Sequence, residues 1–170
     1  MRGELSEEIV SINMANSSRA IALYERSHFG KKENDILEIS LIEALYLLEY
    51  GRIKLFQKGN KIEIDDLKSI VREKNLYSRF VVFRDLKDRG YVIKSGFKYG
   101  ADFRLYKRGQ APGTQHSNFL VKIISELDDL KVSDFSSYAR VAHGVKKDLL
   151  LAILDDDWDI TYYSVKWTRP

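Results

Sequence analysis

The sequence predicts an α+β protein made of two parts. Segments with apolar residues at helical spacing, such as 41–48 and 138–145, are interspersed with short runs of the β-branched and aromatic residues that favour strands. Helices and strands without regular alternation are typical of the α+β class. We place the boundary between residues 75 and 76, so that a small N-terminal α+β domain (1–75) precedes a C-terminal mixed-sheet domain with flanking helices (76–170).

The N-terminal part combines two strand-like runs with two helices. A helix is predicted after Ser40, whose side chain can cap it, with Glu43 three residues later and Gly51 as its stop. A second helix follows, with Asp65 as its cap. This part has no catalytic signature, so binding, scaffolding and core support stay open to it. The strand-like runs are 9–12 and 20–24.

The C-terminal part is predicted as a mixed sheet flanked by two helices. The first helix covers 77–89 and is stopped by Gly90. The second begins at Ser133 or Asp134 and leads to an apolar run. The segments with strand composition are 91–93, 101–106, 118–124, 149–154 and 160–167.

Composition excludes several classes of protein. Cysteine is absent, which rules out disulfides, thiolate zinc sites and thiol nucleophiles. No apolar run approaches the roughly 18 residues of a membrane-spanning helix, and we expect a cytoplasmic protein. No metal or other cofactor is predicted.

Positive charge is concentrated in the C-terminal part. Residues 1–75 carry 12 basic and 13 acidic side chains, whereas residues 76–170 carry 16 and 12. Between Arg79 and Arg108, nine Lys or Arg stand against three Asp. Phosphate is the expected partner of such a stripe. The alternative is a solvated surface whose charges pair locally with acidic neighbours.

Tyr106 is the first candidate for chemistry. Alternate residues of a strand share a face, so Phe103 and Leu105 are expected in the core and Tyr106 on a wet, basic face. A free tyrosine ionises only near pH 10, and the positive side chains Lys107 and Arg108 would favour the phenolate that a base needs. The alternative is an edge-strand tyrosine with a hydrogen-bonded hydroxyl.

A histidine and a pair of lysines are the next candidates. His116 stands between a turn-rich loop and an apolar strand, where a side chain that changes charge near neutral pH suits general-acid work. One of Lys146 and Lys147 must turn toward the core side, where it can stabilise charge on a phosphate; their neighbours do not say which. His143, one helical turn before Lys147, can orient it or compete with it. The alternatives are a surface histidine and lysines that compensate a helix dipole.

These candidates lie in three stretches that resemble one known family. The stretches are Tyr99-Gly-Ala-Asp-Phe-Arg-Leu-Tyr106, His116-Ser-Asn-Phe-Leu-Val121 and Val145-Lys-Lys-Asp-Leu-Leu-Leu-Ala-Ile153. In order and spacing they resemble the catalytic domain of the archaeal tRNA-splicing endonucleases, of the type with a single catalytic repeat. The resemblance implies a restriction-endonuclease-like nuclease fold, and it selects Lys147 over Lys146.

The resemblance also implies an activity. The substrate would be intron-containing pre-tRNA, cut at its bulge-helix-bulge without a metal, leaving a 2′,3′-cyclic phosphate and a 5′-hydroxyl. Tyr106 would deprotonate the 2′-hydroxyl, His116 would protonate the leaving oxygen and Lys147 would stabilise the transition state. A reaction that needs the 2′-hydroxyl excludes DNA as a substrate.

Two further sets of residues follow from the same resemblance. Arg140 matches the residue that grips a bulged base, with Trp167 as its partner and Arg169 as a rival for that role; stacking and cation-π contacts supply the grip. Asp155, Asp156 and Asp157 match an acidic loop that enters a basic pocket of another subunit. A homotetramer is therefore expected, or a heterotetramer with a structural subunit. For the Asp residues, the alternative is a simple hairpin turn.

Two other functions remain open at the level of sequence. A metal-dependent nuclease could use the acidic residues between Asp155 and Asp159. A non-catalytic RNA-binding or structural subunit would be expected to carry a degenerate triad, whereas Tyr106, His116 and Lys147 are all present here.

Overall fold

The computed structural model describes residues 1–170 as two compact units, Met1–Phe80 and Val81–Pro170, with one β-sheet in each. Both sheets are mixed and five helices accompany them, so the predicted α+β class is confirmed. The division into units falls inside a helix, and the domain boundary expected between residues 75 and 76 stays a prediction. None of the helices is long and apolar enough to cross a lipid bilayer.

The first unit is a six-stranded sheet with three helices. The strand order is β3-β4-β2-β1-β5-β6, with β1 and β5 parallel and all other neighbours antiparallel. The strands are β1 (Arg2–Ser6), β2 (Ile9–Asn13), β3 (Lys31–Glu33), β4 (Ile36–Ser40), β5 (Lys54–Gln57) and β6 (Asn60–Ile62), and the helices are α1 (Ser18–Glu25), α2 (Leu41–Glu49) and α3 (Ile64–Glu73).

The predicted capping box of α2 is present. The Glu43 backbone N–H donates to Ser40 Oγ at 3.4 Å, and the Ser40 backbone N–H donates to Glu43 Oε2 at 2.9 Å. The other carboxylate oxygen of Glu43 accepts from the Gly30 N–H at 2.8 Å, which ties the start of α2 to the turn before β3. Gly51 follows the helix with φ of 63°, a left-handed conformation that favours glycine.

The first unit has more elements than the two strands and two helices predicted, and two of the predictions are wrong. Residues 20–24 are helical, not a strand, because Ser17 caps α1 by accepting from the Ala20 N–H at 3.2 Å, and Ala20 and Leu23, three residues apart, are both buried. Asp65 lies inside the first turn of α3 rather than at its cap; the capping residue is Glu63, paired with Asp66.

The second unit is a five-stranded sheet with a helix on each face. Every predicted element is present with shifted ends, and the residue before the second helix is Lys131 rather than Ser133 or Asp134. Trp167 lies beyond the last strand. The elements are α4 (Tyr77–Asp88), which spans the division between units, then β7 (Val92–Ser95), β8 (Phe103–Tyr106), β9 (Phe119–Ser125), α5 (Val132–Gly144), β10 (Asp148–Leu154) and β11 (Ile160–Val165).

The sheet order β11-β10-β9-β8-β7 places β9 and β10 at its centre as a parallel pair joined through α5. All other neighbours are antiparallel. One face packs on α5, where Leu120 and Leu149 lie in one buried cluster with Ala142. On the other face Phe103 contacts Phe83 of α4, with ring centroids 6.2 Å apart. Both faces are therefore covered.

Candidate active site

The candidate catalytic residues lie at one end of the second sheet. In the ladder, Leu105 and Asp148 both stand opposite Phe119, so one step further Tyr106, Asn118 and Lys147 form a row across β8, β9 and β10. Neighbouring strands are about 4.8 Å apart, so the backbones of Tyr106 and Lys147 are separated by about 10 Å.

The end of α5 determines which lysine enters that row. The Lys146 N–H donates to the His143 carbonyl at 3.0 Å and the Lys147 N–H to the Ala142 carbonyl at 2.9 Å, the two bonds of a Schellman motif. Lys146 takes the left-handed position with φ of 56° and is exposed. Lys147 follows it into the sheet and is half-buried.

The side chain of Lys147 is fixed by the segment that carries His116. Its Nζ donates to the Ser117 carbonyl at 3.0 Å, and the Asp148 N–H donates to the Asn118 carbonyl at 3.0 Å. Ser117 is the one buried polar residue of the chain, at 5% exposure. The ammonium group of Lys147 is therefore bonded to the residue that directly follows His116.

The expectation that Tyr106 points to a wet face is wrong: its exposed fraction is 4%. Phe103 and Leu105 are buried as predicted, but the opposite face is covered too, since Leu120 and Leu149 on it pack under α5. The guanidinium of Arg104 lies near Tyr106, with Cζ 6.0 Å from the ring centre.

His116 lies on an exposed loop between β8 and β9. The loop is folded on itself: Thr114 donates through Oγ1 to the Ala111 carbonyl at 3.1 Å, and the Gln115 N–H donates to the same carbonyl at 3.2 Å. The loop closes where the Asn118 N–H donates to the Leu105 carbonyl at 2.7 Å. An exposed histidine on a hydrogen-bonded loop is accessible to a large substrate.

Asn118 is a site residue that the sequence analysis missed. Its backbone bonds join β8 and β10, and its side-chain Oδ1 accepts from the Lys107 N–H at 3.2 Å, which holds the chain just after Tyr106. Its place inside the stretch that follows His116 was the available signal.

Tyr99 is a second residue that was missed. The side-chain hydrogen bond from Lys98, with the charges of Lys98, Lys147 and Arg104, lowers the pKa of Tyr99 from its ordinary 10.0, against the effect of burial. The Lys147 Nζ lies 5.9 Å from the centre of its ring. The hydroxyl of Tyr99 therefore belongs to the electrostatic environment of Lys147.

The residues expected to grip a base are only partly brought together. Trp167 stacks against His143, with ring centroids 4.5 Å apart, and Arg169 Cζ lies 5.6 Å from the Trp167 ring centre. Arg140 is exposed on α5, one turn before His143. Both rivals for the second gripping position thus lie at the same end of the sheet, and His143 contacts the tryptophan.

The acidic turn lies at the other end of the sheet. Asp155 Oδ1 accepts from the backbone N–H groups of Asp157 and Asp159, both at 2.9 Å, and Trp158 takes a left-handed φ of 67°. The seven residues of β10 separate this turn from Lys147, about 20 Å along a strand. Asp156 and Asp157 are exposed.

No group of three or more His, Cys, Asp or Glu side chains is arranged to hold a metal ion. In the acidic turn, Asp155 uses a carboxylate oxygen to accept hydrogen bonds from the backbone of its own turn.

Comparison with known proteins identifies the class to which this fold and site belong. The family model described as tRNA intron endonuclease, catalytic C-terminal domain, matches residues 76–162, and that of the tRNA intron endonuclease N-terminal domain matches residues 1–68. The chain therefore belongs to the tRNA intron endonuclease family.

Individual relatives are archaeal. The chain is 51% identical over 170 residues to the tRNA-splicing endonuclease of Methanothermobacter thermautotrophicus, covering 100% of this chain and 99% of the relative. It is 42% identical over 149 residues to that of Thermococcus gammatolerans (86% and 87% covered) and 35% identical over 153 residues to that of Methanococcus vannielii (88% and 85% covered).

Proposed function

We propose that the chain is an endoribonuclease that excises introns from pre-tRNA by metal-independent cleavage at bulge-helix-bulge sites. The matched catalytic-domain model and the archaeal relatives support both the activity and the RNA substrate. The structural observation that carries the proposal is the hydrogen bond from Lys147 Nζ to the Ser117 carbonyl, because it holds a cation beside His116.

The proposed reaction is an internal transesterification. Tyr106 in its ionised form accepts the proton of a ribose 2′-hydroxyl, and the 2′-oxygen forms a bond to the adjacent phosphorus. The bond from that phosphorus to the 5′-oxygen of the next nucleotide breaks, and His116 donates a proton to that oxygen. Lys147 stabilises the negative charge that develops on the phosphate. The products are a 2′,3′-cyclic phosphate and a 5′-hydroxyl.

The burial of Tyr106 restricts how the ribose approaches. Because little of the side chain is accessible, the 2′-hydroxyl reaches it from the end of the sheet, where His116 is exposed. An in-line displacement requires the base and the acid to act on opposite sides of the phosphate, so the proposal places the phosphate between Tyr106 and His116.

The base-gripping role is proposed for Arg140 together with Trp167 or Arg169. A splayed base held between a guanidinium and an indole gains about 1 to 3 kcal/mol from stacking. The contact between His143 and Trp167 supports a positioning role for the histidine in the grip rather than a direct role in the triad.

An oligomer is also part of the proposal. An acidic turn about 20 Å from the triad of its own chain has no role in the cleavage chemistry, and its exposed carboxylates Asp156 and Asp157 are free to enter a basic pocket of another subunit. We favour a homotetramer, since one chain carries the complete triad; a heterotetramer with a structural subunit is the alternative. Cytoplasmic localisation stays a prediction.

The decisive experiment is cleavage of a bulge-helix-bulge RNA by the pure protein in excess EDTA. We expect cleavage, and we expect His116→Ala to lower the single-turnover rate by about 100-fold to 10,000-fold while RNA still binds. Loss of cleavage in EDTA, restored by a divalent metal, would favour the metal-dependent nuclease. RNA bound by both proteins but cleaved by neither would favour the non-catalytic subunit.

A further inference from the structure

A second cluster of positive charge lies beside the candidate triad and takes no part in the proposed chemistry. It lines an open cavity of about 440 Å³ formed by Arg89 and Tyr91, which follow α4, and by Lys107 and Arg108, which follow β8. We call these four residues the cationic pocket.

The shape of the pocket depends on the close contact between the Arg108 guanidinium and the turn at Gly90. Gly90 ends α4 in a Schellman motif with φ of 90°, its N–H donating to the Lys87 carbonyl and the Tyr91 N–H to the Leu86 carbonyl. The Arg108 guanidinium lies against this turn and donates through Nε to the Arg89 carbonyl at 2.8 Å. A Cβ at Gly90 would lie 2.6 Å from Arg108 Nε, so glycine is what lets the guanidinium dock there.

Two of the three positive charges in the pocket are not neutralised within the chain. Arg89 is paired with Asp85, through Nε at 2.8 Å and Nη2 at 3.1 Å. Arg108 uses one of its five N–H groups, and the ammonium of Lys107 has no hydrogen-bond partner, only the Phe119 ring at 5.9 Å. The pocket therefore holds two uncompensated positive charges with donors to spare, which is the chemistry that binds a phosphate group.

The pocket also has a flat aromatic wall. Tyr91 is held edge-on against Phe119, with ring centroids 6.5 Å apart and the ring planes at 84°. A nucleic-acid strand is bound by positive charge along its backbone and by aromatic faces on which a base or sugar can rest. The combination fits RNA better than it fits a free inorganic anion.

Pocket and triad are joined by short covalent and hydrogen-bonded links. Lys107 follows Tyr106 directly, and alternation along the chain directs the two side chains to opposite faces of the sheet. The Lys107 N–H donates to Asn118 Oδ1, and Asn118 lies in the row between Tyr106 and Lys147. The two sites are therefore held at a fixed separation, and one strand of RNA can occupy both.

We propose that the cationic pocket binds a backbone phosphate of the RNA substrate at a fixed number of nucleotides from the scissile phosphate, through Lys107 and Arg108. The proposal rests on the proposed function for the identity of the RNA. It assigns the pocket to positioning of the substrate, so that the cut falls at one phosphate and not at its neighbours.

The test measures binding without cleavage. In a His116→Ala background, the affinity for a bulge-helix-bulge RNA is measured over a series of KCl concentrations for Lys107→Gln, Arg108→Gln and the double variant, with Lys31→Gln, an exposed charge of the first unit, as the matched control. We expect each pocket variant to weaken binding about ten-fold and to reduce the salt slope by about 0.7 to 0.9, the value for one lost phosphate contact. The control keeps the parent slope.

A second arm locates the phosphate. RNAs with one neutral methylphosphonate at successive positions are bound to the His116→Ala protein and to the double variant. We expect one position outside the cleavage site to weaken binding of the first protein and to have no further effect on the second. Circular dichroism of the variants checks that the fold is retained.

Different results overturn different claims. A double variant with the parent slope and affinity, or neutral linkages that weaken both proteins alike at every position, overturns the pocket proposal. A double variant that keeps its RNA affinity but loses assembly mass assigns the pocket to an acidic protein segment instead, which also overturns it. Absence of cleavage by wild type in EDTA, with the slope change still present, overturns the proposed function and leaves the pocket standing.

Discussion

Lys147 can enter the sheet because Lys146, the residue before it, takes the left-handed conformation that ends α5. The Schellman motif at the end of α5 requires a left-handed residue, and Lys146 takes that conformation although a side chain is disfavoured there. The choice between two adjacent lysines is thus made by backbone geometry. α5 itself ends at Gly144 with Val145 as its cap, so the left-handed turn falls on Lys146 rather than on the nearby glycine.

Two substitutions separate the adjacent lysines. Lys146→Gly relieves the left-handed strain, and we expect the free energy of unfolding to rise by about 0.5 to 1 kcal/mol with cleavage retained. Lys147→Gln removes the ammonium group bound to the Ser117 carbonyl, and we expect the rate to fall by about 100-fold to 1,000-fold. Urea unfolding and single-turnover cleavage measure the two effects. Equal loss of cleavage in both variants would contradict the assignment.

Tyr162 gives the second unit a dependence on alkaline pH. Its hydroxyl donates to Asp85 Oδ2 at 2.7 Å. Burial, this hydrogen bond and the negative charge of Asp85 raise the pKa of Tyr162 well above its ordinary 10.0. The neutral hydroxyl therefore stabilises the fold fully below pH 10, and this contribution falls as pH rises above 10, because the unfolded chain then ionises while the folded chain does not.

We expect Tyr162→Phe to lower the free energy of unfolding by about 1.5 to 3 kcal/mol at neutral pH, the value of a hydrogen bond to a charged group. The loss shrinks above pH 10, where the hydroxyl contributes less. Urea unfolding at neutral pH and above pH 10 measures this difference. Tyr163→Phe, a change at the exposed neighbouring tyrosine, is the control. A pH-independent difference between wild type and Tyr162→Phe would show that the hydroxyl does not carry the effect.

At the scale of elements, local signals were predictable and pairing was not. The capping box of α2 follows from Ser40 and Glu43 alone, since both partners lie within one helical turn. The strand β3 is Lys31–Glu33, three charged and exposed residues that become a strand only because β4 pairs with them. The residues of such a segment do not indicate which strand they pair with, so an edge strand of this kind cannot be predicted from the local sequence pattern.

The turn at Gly90, which ends α4, is in contact with Arg108 of the cationic pocket. Gly90 and Gly109 both have positive φ, of 90° and 77°, but only a Cβ at Gly90 meets another atom within 4 Å. Alanine at either position incurs the left-handed penalty of about 1 to 2 kcal/mol. At Gly90 the flexible guanidinium of Arg108 must also move and lose its bond to the Arg89 carbonyl.

We therefore expect Gly90→Ala to lower the free energy of unfolding by about 1 kcal/mol more than Gly109→Ala does. RNA binding in the His116→Ala background should weaken for Gly90→Ala as it does for Arg108→Gln. Comparison with Gly109→Ala removes the contribution of the left-handed backbone from both the stability and the affinity difference. Indistinguishable stabilities and affinities would mean that the docking of Arg108 on the turn has no consequence.

At the scale of the whole molecule, the candidate site is a property of strand order. Tyr106, His116 and Lys147 span 42 positions of the printed sequence, and they lie at one end of the sheet only because β8, β9 and β10 are neighbouring strands. The three stretches were recognisable from sequence only in combination, by their order and spacing. The burial of Tyr106 was not predictable, because alternation along one strand assumed that one face of the sheet is exposed to solvent, whereas the structure covers both faces.

The acidic turn supplies a prediction about assembly. Asp155 holds the turn because its side-chain Oδ1 accepts from the N–H groups of Asp157 and Asp159, whereas the side chains of Asp156 and Asp157 are exposed. We expect Asp156→Lys combined with Asp157→Lys to break the oligomer by placing positive charge against a basic pocket, so that the mass in solution falls toward the 19.8 kDa of one chain.

Light scattering measures that mass, and Glu25→Lys combined with Glu33→Lys makes the same change in net charge on the first unit as a control. A parent mass for the Asp156 and Asp157 variant would remove the acidic turn from the interface. Loss of mass in both variants would point to net charge rather than to a local contact.

The proposed active site depends on the register of the parallel pair β9 and β10. Side chains on a strand alternate with a period of two, so a slip of one residue between these strands would put Lys146 or Asp148 in the row opposite Asn118 and turn Lys147 away. A misregistered chain would then present a carboxylate, or a lysine with no carbonyl to bind it, where a phosphate must be held. Under the proposed mechanism, the chain therefore cleaves RNA only when β9 and β10 are paired in the register that the structure shows.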